Sequence, residues 1–355
     1  MTPEDAGLQP LHEIGDLWTL ACAGERVAEA RPRAALLRDR LRASGRIAAL
    51  RTCPLADFPW PGDYGFWQAG IQRPIVLRHR MSVVQFRQHG KIRTLLMNPT
   101  DTERSRQTPY FRRLEANRLG VIIQALVLTP QRPVLEHLAE LGIAPETVDY
   151  VTYDHLHTQD LRGAVGTPEI EPRFPNALFL IPRAEAEIFR NIHPLQRDWF
   201  IPQALDGVRR KRVVLLEGDY QLGDGVALVR TPGHTAGNHT LVLNTSRGLY
   251  AISENGVAPE CYVPERSNLA ALRRHQKDLG REVVLNGNTL EGTLDQYAAM
   301  VLEKQLVDWT EGFPNILSSS PFVPSWLTPG MQPTYVLEPP DEGKLETNGV
   351  RELAA

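Results

Sequence analysis

The chain has 355 residues, 42% of them hydrophobic and 23% charged, with a formal net charge of −3. That length can bury a substantial core in one large domain or two, and the near-neutral balance gives no electrostatic footprint for nucleic acid or an anionic membrane. No apolar run reaches bilayer length, the polar start Met1–Pro10 lacks the basic and apolar segments of a signal peptide, and Cys22, Cys53 and Cys261 form no Cys-x-x-Cys. The expectation is a soluble cytoplasmic protein in a reducing compartment, with a small-molecule partner rather than nucleic acid or membrane.

In chain order, Arg31–Arg51 carries apolar residues at helical spacing with basic residues between them and predicts a helix. Pro54–Gly70, rich in Pro, Gly and aromatics, reads as an irregular wrap. From Pro74 the period changes to two: Ile75–Leu77 and Met81–Phe86 lead to the turn His89-Gly90, and Ile92–Met97 follows it as the second arm of a hairpin. A helix is predicted over Arg112–Leu119, a strand over Val121–Val127, a helix over Pro133–Leu141 and a strand over Val148–Thr152. Further on come the strand Ala177–Ile181, a helix Arg183–Asn191 and a strand Arg212–Leu216. Gly218–Gly225 reads as a turn before the strand Val226–Arg230. Thr240–Leu243 and Gly248–Ile252 form a hairpin, followed by a helix Ser267–Leu279, a strand Glu282–Leu285 and a helix Thr293–Asp308. Beyond Trp309 the Pro- and Ser-rich chain reads as an arm and a frayed tail.

Two places carry chemistry. His155-Leu-His157 follows the apolar run Val148–Thr152, and about 75 residues later Thr231-Pro-Gly-His234-Thr-Ala-Gly237 follows the strand Val226–Arg230. Imidazoles on strand-end loops can meet at one point. Three neutral imidazoles at one point suit a divalent transition ion that keeps an open position. Alone, His155 and His157 could equally be two hydrogen-bonded histidines on a turn; with His234 in its motif the metal reading gains.

In motif order and spacing, residues 74–305 resemble the metallo-β-lactamase superfamily, whose pattern is His-x-His-x-Asp-His, then Thr-Pro-Gly-His-Thr-x-Gly, a bridging Asp and a final Gly-His. The resemblance implies a four-layer α/β/β/α sandwich over 74–308, with a helical and irregular N-terminal extension (1–73) and a C-terminal arm and tail (309–355). It also implies a metal held by His155, His157, His234 and Glu254, with Glu254 standing in for the bridging Asp. Departures are as informative. Gln159 stands at the family's Asp, Asp160 at its third His, Asn288 at its last His, and Asn98-Pro-Thr100 where the family usually has Asp-Thr-Gly. The pattern favours one divalent ion, Zn first and Fe or Mn as alternatives, with a second ion on Asp160 and Glu254 left open.

The implied activity is metal-dependent hydrolysis of an ester, lactone or similar acyl substrate, with Asp160 orienting the attacking water and Glu254 completing the coordination. Asp160 could equally cap the helix that begins near Leu161. A non-hydrolytic metal- or ligand-binding protein on the same fold, and an iron-dependent redox enzyme, are the alternatives. Asp154 is a candidate to orient an imidazole, and equally to cap a helix or turn; Arg162 is a candidate anion contact or a solvent-exposed side chain. His239 reads as a surface or supporting residue, and Cys261 as structural. Trp60, Tyr64, Phe66 and Trp67 either line an apolar pocket or pack the N-terminal segment. The two flanking segments leave room for a homodimer.

Overall fold

A computed structural model describes residues 1–116, 132–326 and 328–347. The predicted strand at 121–127 and the end of the predicted helix before it lie outside the described residues.

The strands in chain order are β1 (Gln9–Leu11), β2 (Ala49–Pro61), β3 (Pro74–Gln88), β4 (Lys91–Met97), β5 (Tyr150–Thr152), β6 (Leu178–Pro182), β7 (Val213–Leu216), β8 (Asp219–Gly223), β9 (Val226–Arg230), β10 (His239–Thr245), β11 (Gly248–Ser253), β12 (Trp309–Thr310), β13 (Phe313–Pro314), β14 (Ile316–Ser318) and β15 (Phe322–Val323). One sheet runs β1-β8-β9-β10-β11-β14. The other runs β15-β3-β4-β5-β6-β7, with β2 also on β3, and β12 and β13 pair on their own.

Period-two alternation decides how the sheets meet. Leu95, Met97, Tyr150 and Leu180 of one sheet share a core with Leu241, Leu243, Tyr250 and Ile252 of the other. Their strand neighbours Leu96, Val151, Phe179, Val242 and Ala251 face the opposite way, into a second core. That second core includes Ala30, Ala34, Leu37 and Leu41, one face of the helix Ala23–Ala43, and Leu302 and Leu306 of the helix Thr293–Leu306. The result is a mixed α/β fold of two facing sheets with helices outside, as the sequence pattern predicts.

Several elements differ from expectation, each for a local reason. The first helix ends at Ala43, and Ala49–Pro61 is a strand zipped antiparallel to β3 over its whole length instead of an irregular wrap. Its prolines and aromatics hid the period. Gly218–Gly225 is not merely a turn, because Asp219–Gly223 is an inner strand with a bulge near Gln221. Glu282–Leu285 is extended and buries Val283, Val284 and Leu285 without joining a sheet; its Val284 N–H donates to the Cys261 carbonyl at 2.7 Å. Past Trp309 the chain is no loose arm. β14 pairs parallel with β11 and β15 pairs antiparallel with β3, so this segment reaches both sheets. Among the described residues, no helix is long and apolar enough to cross a membrane.

Candidate metal centre

The ends of β4, β5, β9, β11 and β14 deliver loops to one place. His155 and His157 follow β5, His234 follows β9, Glu254 follows β11, and Ser319 and Ser320 follow β14. The ring centroids of His155, His157 and His234 are 4.5, 4.7 and 5.0 Å apart, and their candidate ligand nitrogens all lie within 4.8 Å of one another. His157 and His234 are buried, yet both ring nitrogens of His157 and Nδ1 of His234 have no hydrogen-bond partner. Buried polar atoms of native proteins are rarely left orphaned, so three converging imidazoles in this state fit a divalent ion. Burial, reinforced by the neighbouring His155, pushes the pKa of His157 and His234 well below the ordinary value and keeps them in the neutral form that metals bind.

His155 is held differently. Its Nδ1 is 2.8 Å from Asp154 Oδ1, which also accepts the His155 backbone N–H at 2.9 Å. Burial alone would lower the His155 pKa, but the Asp154 carboxylate together with Glu254 and Glu185 makes the net shift upward. A carboxylate on Nδ1 fixes the tautomer and leaves Nε2 for an ion. Asp154 is itself gripped by Asn98 Nδ2 at 3.1 Å and by the Ser319 hydroxyl, and its backbone N–H donates to Asn98 Oδ1 at 3.0 Å. Asn98 adopts φ 57°, a left-handed conformation that Asn tolerates better than most residues. Thus Asp154 is the orienting residue its position suggested. Removing only its charge, as Asp154→Asn, should weaken metal affinity about 10–100-fold, read by titration against a chelating dye, and should also lower the melting temperature because the new NH₂ must face a donor.

The two motif loops are joined by a residue that sequence reasoning missed. Glu185, fully buried on the helix Arg183–Ile188, accepts the Leu156 N–H at 2.7 Å with one oxygen. With the other it accepts the Thr235 hydroxyl at 2.6 Å and the Gly237 N–H at 3.2 Å. A Cβ on Gly237 would sit 2.3 Å from the Glu185 backbone nitrogen, and one on Gly233 would sit 2.1 Å from that of Gln296. Both glycines of the Thr231–Gly237 motif therefore permit close approach of neighbouring backbone.

The remaining expected residues are placed as follows. Glu254 lines the same cavity as the histidines, and its Oε2 is buried without a partner. Burial, and then the Asp154 charge, lift its carboxyl to about 8. Asp160 is not brought to the histidines: its buried carboxylate pairs with Arg162 at 2.6 Å and Arg104 at 3.2 Å, and accepts the Arg162 N–H at 3.0 Å. The set of ligand atoms within 4.8 Å contains neither carboxylate. Arg162 is accordingly engaged with Asp160 rather than offered to an anion. Gln159 donates to Thr100 at 2.9 Å, and Asn288 lines the cavity with its amide oxygen unpartnered. His239 is buried against Thr152 at 3.0 Å, not at the surface, and burial raises Cys261 to about 12, as a structural thiol requires.

The cavity over the histidines measures about 470 Å³. Phe58, Trp60, Phe111 and Trp199 give it an aromatic lining; Trp60 and Trp199 are 5.4 Å apart, and Trp199 is 6.3 Å from His157. Of the four aromatics singled out in the sequence, only Trp60 lines it. Tyr64 packs edge-on against Trp60, Phe66 against Phe322, and Trp67 under Arg281. His79 is a further lining residue, 2.7 Å from Thr100 Oγ1 and 3.0 Å from Ser320 Oγ.

The Glu254 carboxyl gives a pH signature for the metal-free protein. Its folded pKa, about 8, lies above the ordinary 4.5, so the folded state binds the extra proton between these values. Stability from this group is full below the lower value and is lost as pH rises through the upper one. The melting temperature of chelator-treated protein should therefore fall between pH 6 and pH 8.5, and Glu254→Gln should flatten the fall.

No protein-family model matches the chain. It is 28% identical over 131 residues to an N-acyl homoserine lactonase of a Bacillus species, covering 36% of this chain and 47% of that one. It is 32% identical over 127 residues to an N-acyl homoserine lactonase of Rhizobium radiobacter, covering 33% and 44%. The chain thus spans just under half the length of these relatives. Among solved structures, a quorum-quenching N-acyl homoserine lactone lactonase aligns over 67% of this chain and 90% of its own, with TM-score 0.45 and 14% identity. A dizinc quorum-quenching lactonase aligns over 59% and 74%, with TM-score 0.41 and 14% identity. In sequence, about a third of the chain is therefore similar to N-acyl homoserine lactonases.

Proposed function

We propose that the protein is a metal-dependent hydrolase that opens a lactone or cleaves a carboxylic ester with an apolar acyl group. The observation that carries this reading is the convergence of three imidazoles, two of them buried with unpartnered nitrogens, on a cavity that is lined in part by aromatic rings. His155, His157 and His234 would hold one divalent ion, Zn first because the donor set is imidazole-rich and nearly tetrahedral sites with one open position suit it. Fe and Mn remain alternatives. A bound ion would supply Lewis-acid polarisation of the carbonyl and bring the pKa of water toward neutrality.

The chain's own residues do the rest. Asp154 keeps the His155 ring in one tautomer. Glu254 lines the cavity with the histidines; the charge of a bound cation would favour its ionised form, which could complete the coordination. Phe58, Trp60, Phe111 and Trp199 take the acyl group and exclude water from it. Asp160, neutralised by Arg104 and Arg162, braces the loop that carries His155 and His157 instead of orienting water.

A non-hydrolytic binding role is favoured by one observation: Gln159 and Asn288 put neutral amides where the family carries metal ligands. One experiment separates the readings. Protein purified without added metal or chelator is assayed for metal content and for hydrolysis of N-acyl homoserine lactones. About one equivalent of Zn, with turnover abolished by chelation and restored by the ion, is the expected result. Metal without turnover on any lactone or ester supports the binding role, and iron with oxygen-dependent chemistry supports the redox alternative.

A further inference from the structure

A second cavity, of about 400 Å³, lies behind the metal centre, and the two share a wall. Alternation along two segments sets the sides. On β3, His79 faces the first cavity and Arg80 the second; after β14, Ser320 lines the first and Ser318 the second, while Ser319 between them donates to Asp154.

Three arginines line the second cavity, and two are already matched. Arg78 forms a two-pronged pair with Asp57 at 2.7 and 2.8 Å, and Arg51 is 2.7 Å from Asp341 and donates to the carbonyls of Leu50, Glu342 and Gly343. Arg80 is not. Its Nε donates to the Ser318 carbonyl at 3.0 Å; Glu338 on the same lining acts on its charge through space, but among the described residues neither terminal nitrogen has a hydrogen-bond acceptor and no carboxylate forms an ion pair with it. The Ser318 hydroxyl is also buried without a partner. The Arg80 terminal nitrogens open onto the cavity as free donors, and beside them the buried Ser318 hydroxyl is costly to leave without a partner.

We infer that this cavity binds a small organic monocarboxylate, its anionic head on Arg80 and Ser318 and its apolar body against Pro321, Phe322 and Leu337. The two free guanidinium donors can be met by the two oxygens of one carboxylate. Glu338 and Asp341 on the same lining oppose a multiply charged anion such as phosphate.

The test is calorimetric titration with hexanoate, and separately with inorganic phosphate, into the protein as purified. Because a carboxylate could also reach the histidines, His234→Ala is titrated in parallel. Saturable hexanoate binding is expected in both proteins, at least tenfold weaker in Arg80→Gln, with phosphate weaker than hexanoate. Ser318→Asp, which supplies an internal carboxylate to Arg80, should abolish binding and raise the melting temperature, and it guards against loss of folding in Arg80→Gln. The inference is overturned if hexanoate does not bind, if binding disappears in His234→Ala, if Ser318→Asp still binds it, or if phosphate binds as tightly.

Discussion

His234→Ala should remove the metal. In wild type we expect about one equivalent of divalent ion per chain, and in the variant only a small residue, measured by elemental analysis after purification without chelator. Loss of the ion would forfeit several kcal/mol of transition-state stabilisation, so the proposed hydrolysis should fall roughly 10³-fold or more. The melting temperature should also fall relative to metal-loaded wild type, because an ion that binds only the folded state stabilises it by mass action. In the metal-free state the difference should shrink: alanine removes the unpartnered Nδ1 of buried His234 but also its ring packing. Chelated wild type and variant should therefore differ less in melting temperature than the same two proteins supplied with metal. If the variant keeps its metal, His155 and His157 bind without His234 and the centre is not the one described.

The histidines were legible because each sits in a local signal. A strand pattern ends, a turn begins, and the imidazole stands at the junction, so sequence distance does not matter. Asp154 was legible for the same reason, being adjacent to His155. Glu185 was not, because it lies in a short helix whose pattern says only that one face is buried. Nothing along the chain reveals that its two oxygens reach loops about 30 and 50 residues away. His79 and Ser319–Ser320 escaped likewise. His79 lies within a long strand with no motif around it, and the serines read as polar tail because β14 and β15 are only three and two residues long. Asp160 shows the opposite failure: its sequence position matched a metal ligand, but two arginines, one of them 56 positions away, hold its carboxylate. Charge pairing of that range is invisible to motif reading. The two-sheet arrangement, by contrast, followed from period-two runs interleaved with helices, which is a local property repeated many times.

Glu185 should matter more than any residue that does not touch the metal. Its carboxylate receives three donors from two loops, and one of those loops bears His155 and His157 while the other bears His234. Alanine there leaves the Leu156 and Gly237 N–H groups and the Thr235 hydroxyl buried without an acceptor, at about 1–3 kcal/mol each, so a loss of roughly 3 kcal/mol or more in unfolding free energy is expected. Glutamine separates bracing from bulk. It keeps the volume and one acceptor oxygen, but its NH₂ must face a donor on one of the two loops. Glu185→Gln should therefore fold, lose less stability than alanine, and still bind metal about 10–100-fold more weakly, since supporting residues of metal ligands act on that scale. Denaturant unfolding of the chelated proteins reports the first effect and dye competition the second. A glutamine variant with wild-type metal affinity would show that the loops find their spacing without the carboxylate, through the packing of Gly233 and Gly237 alone.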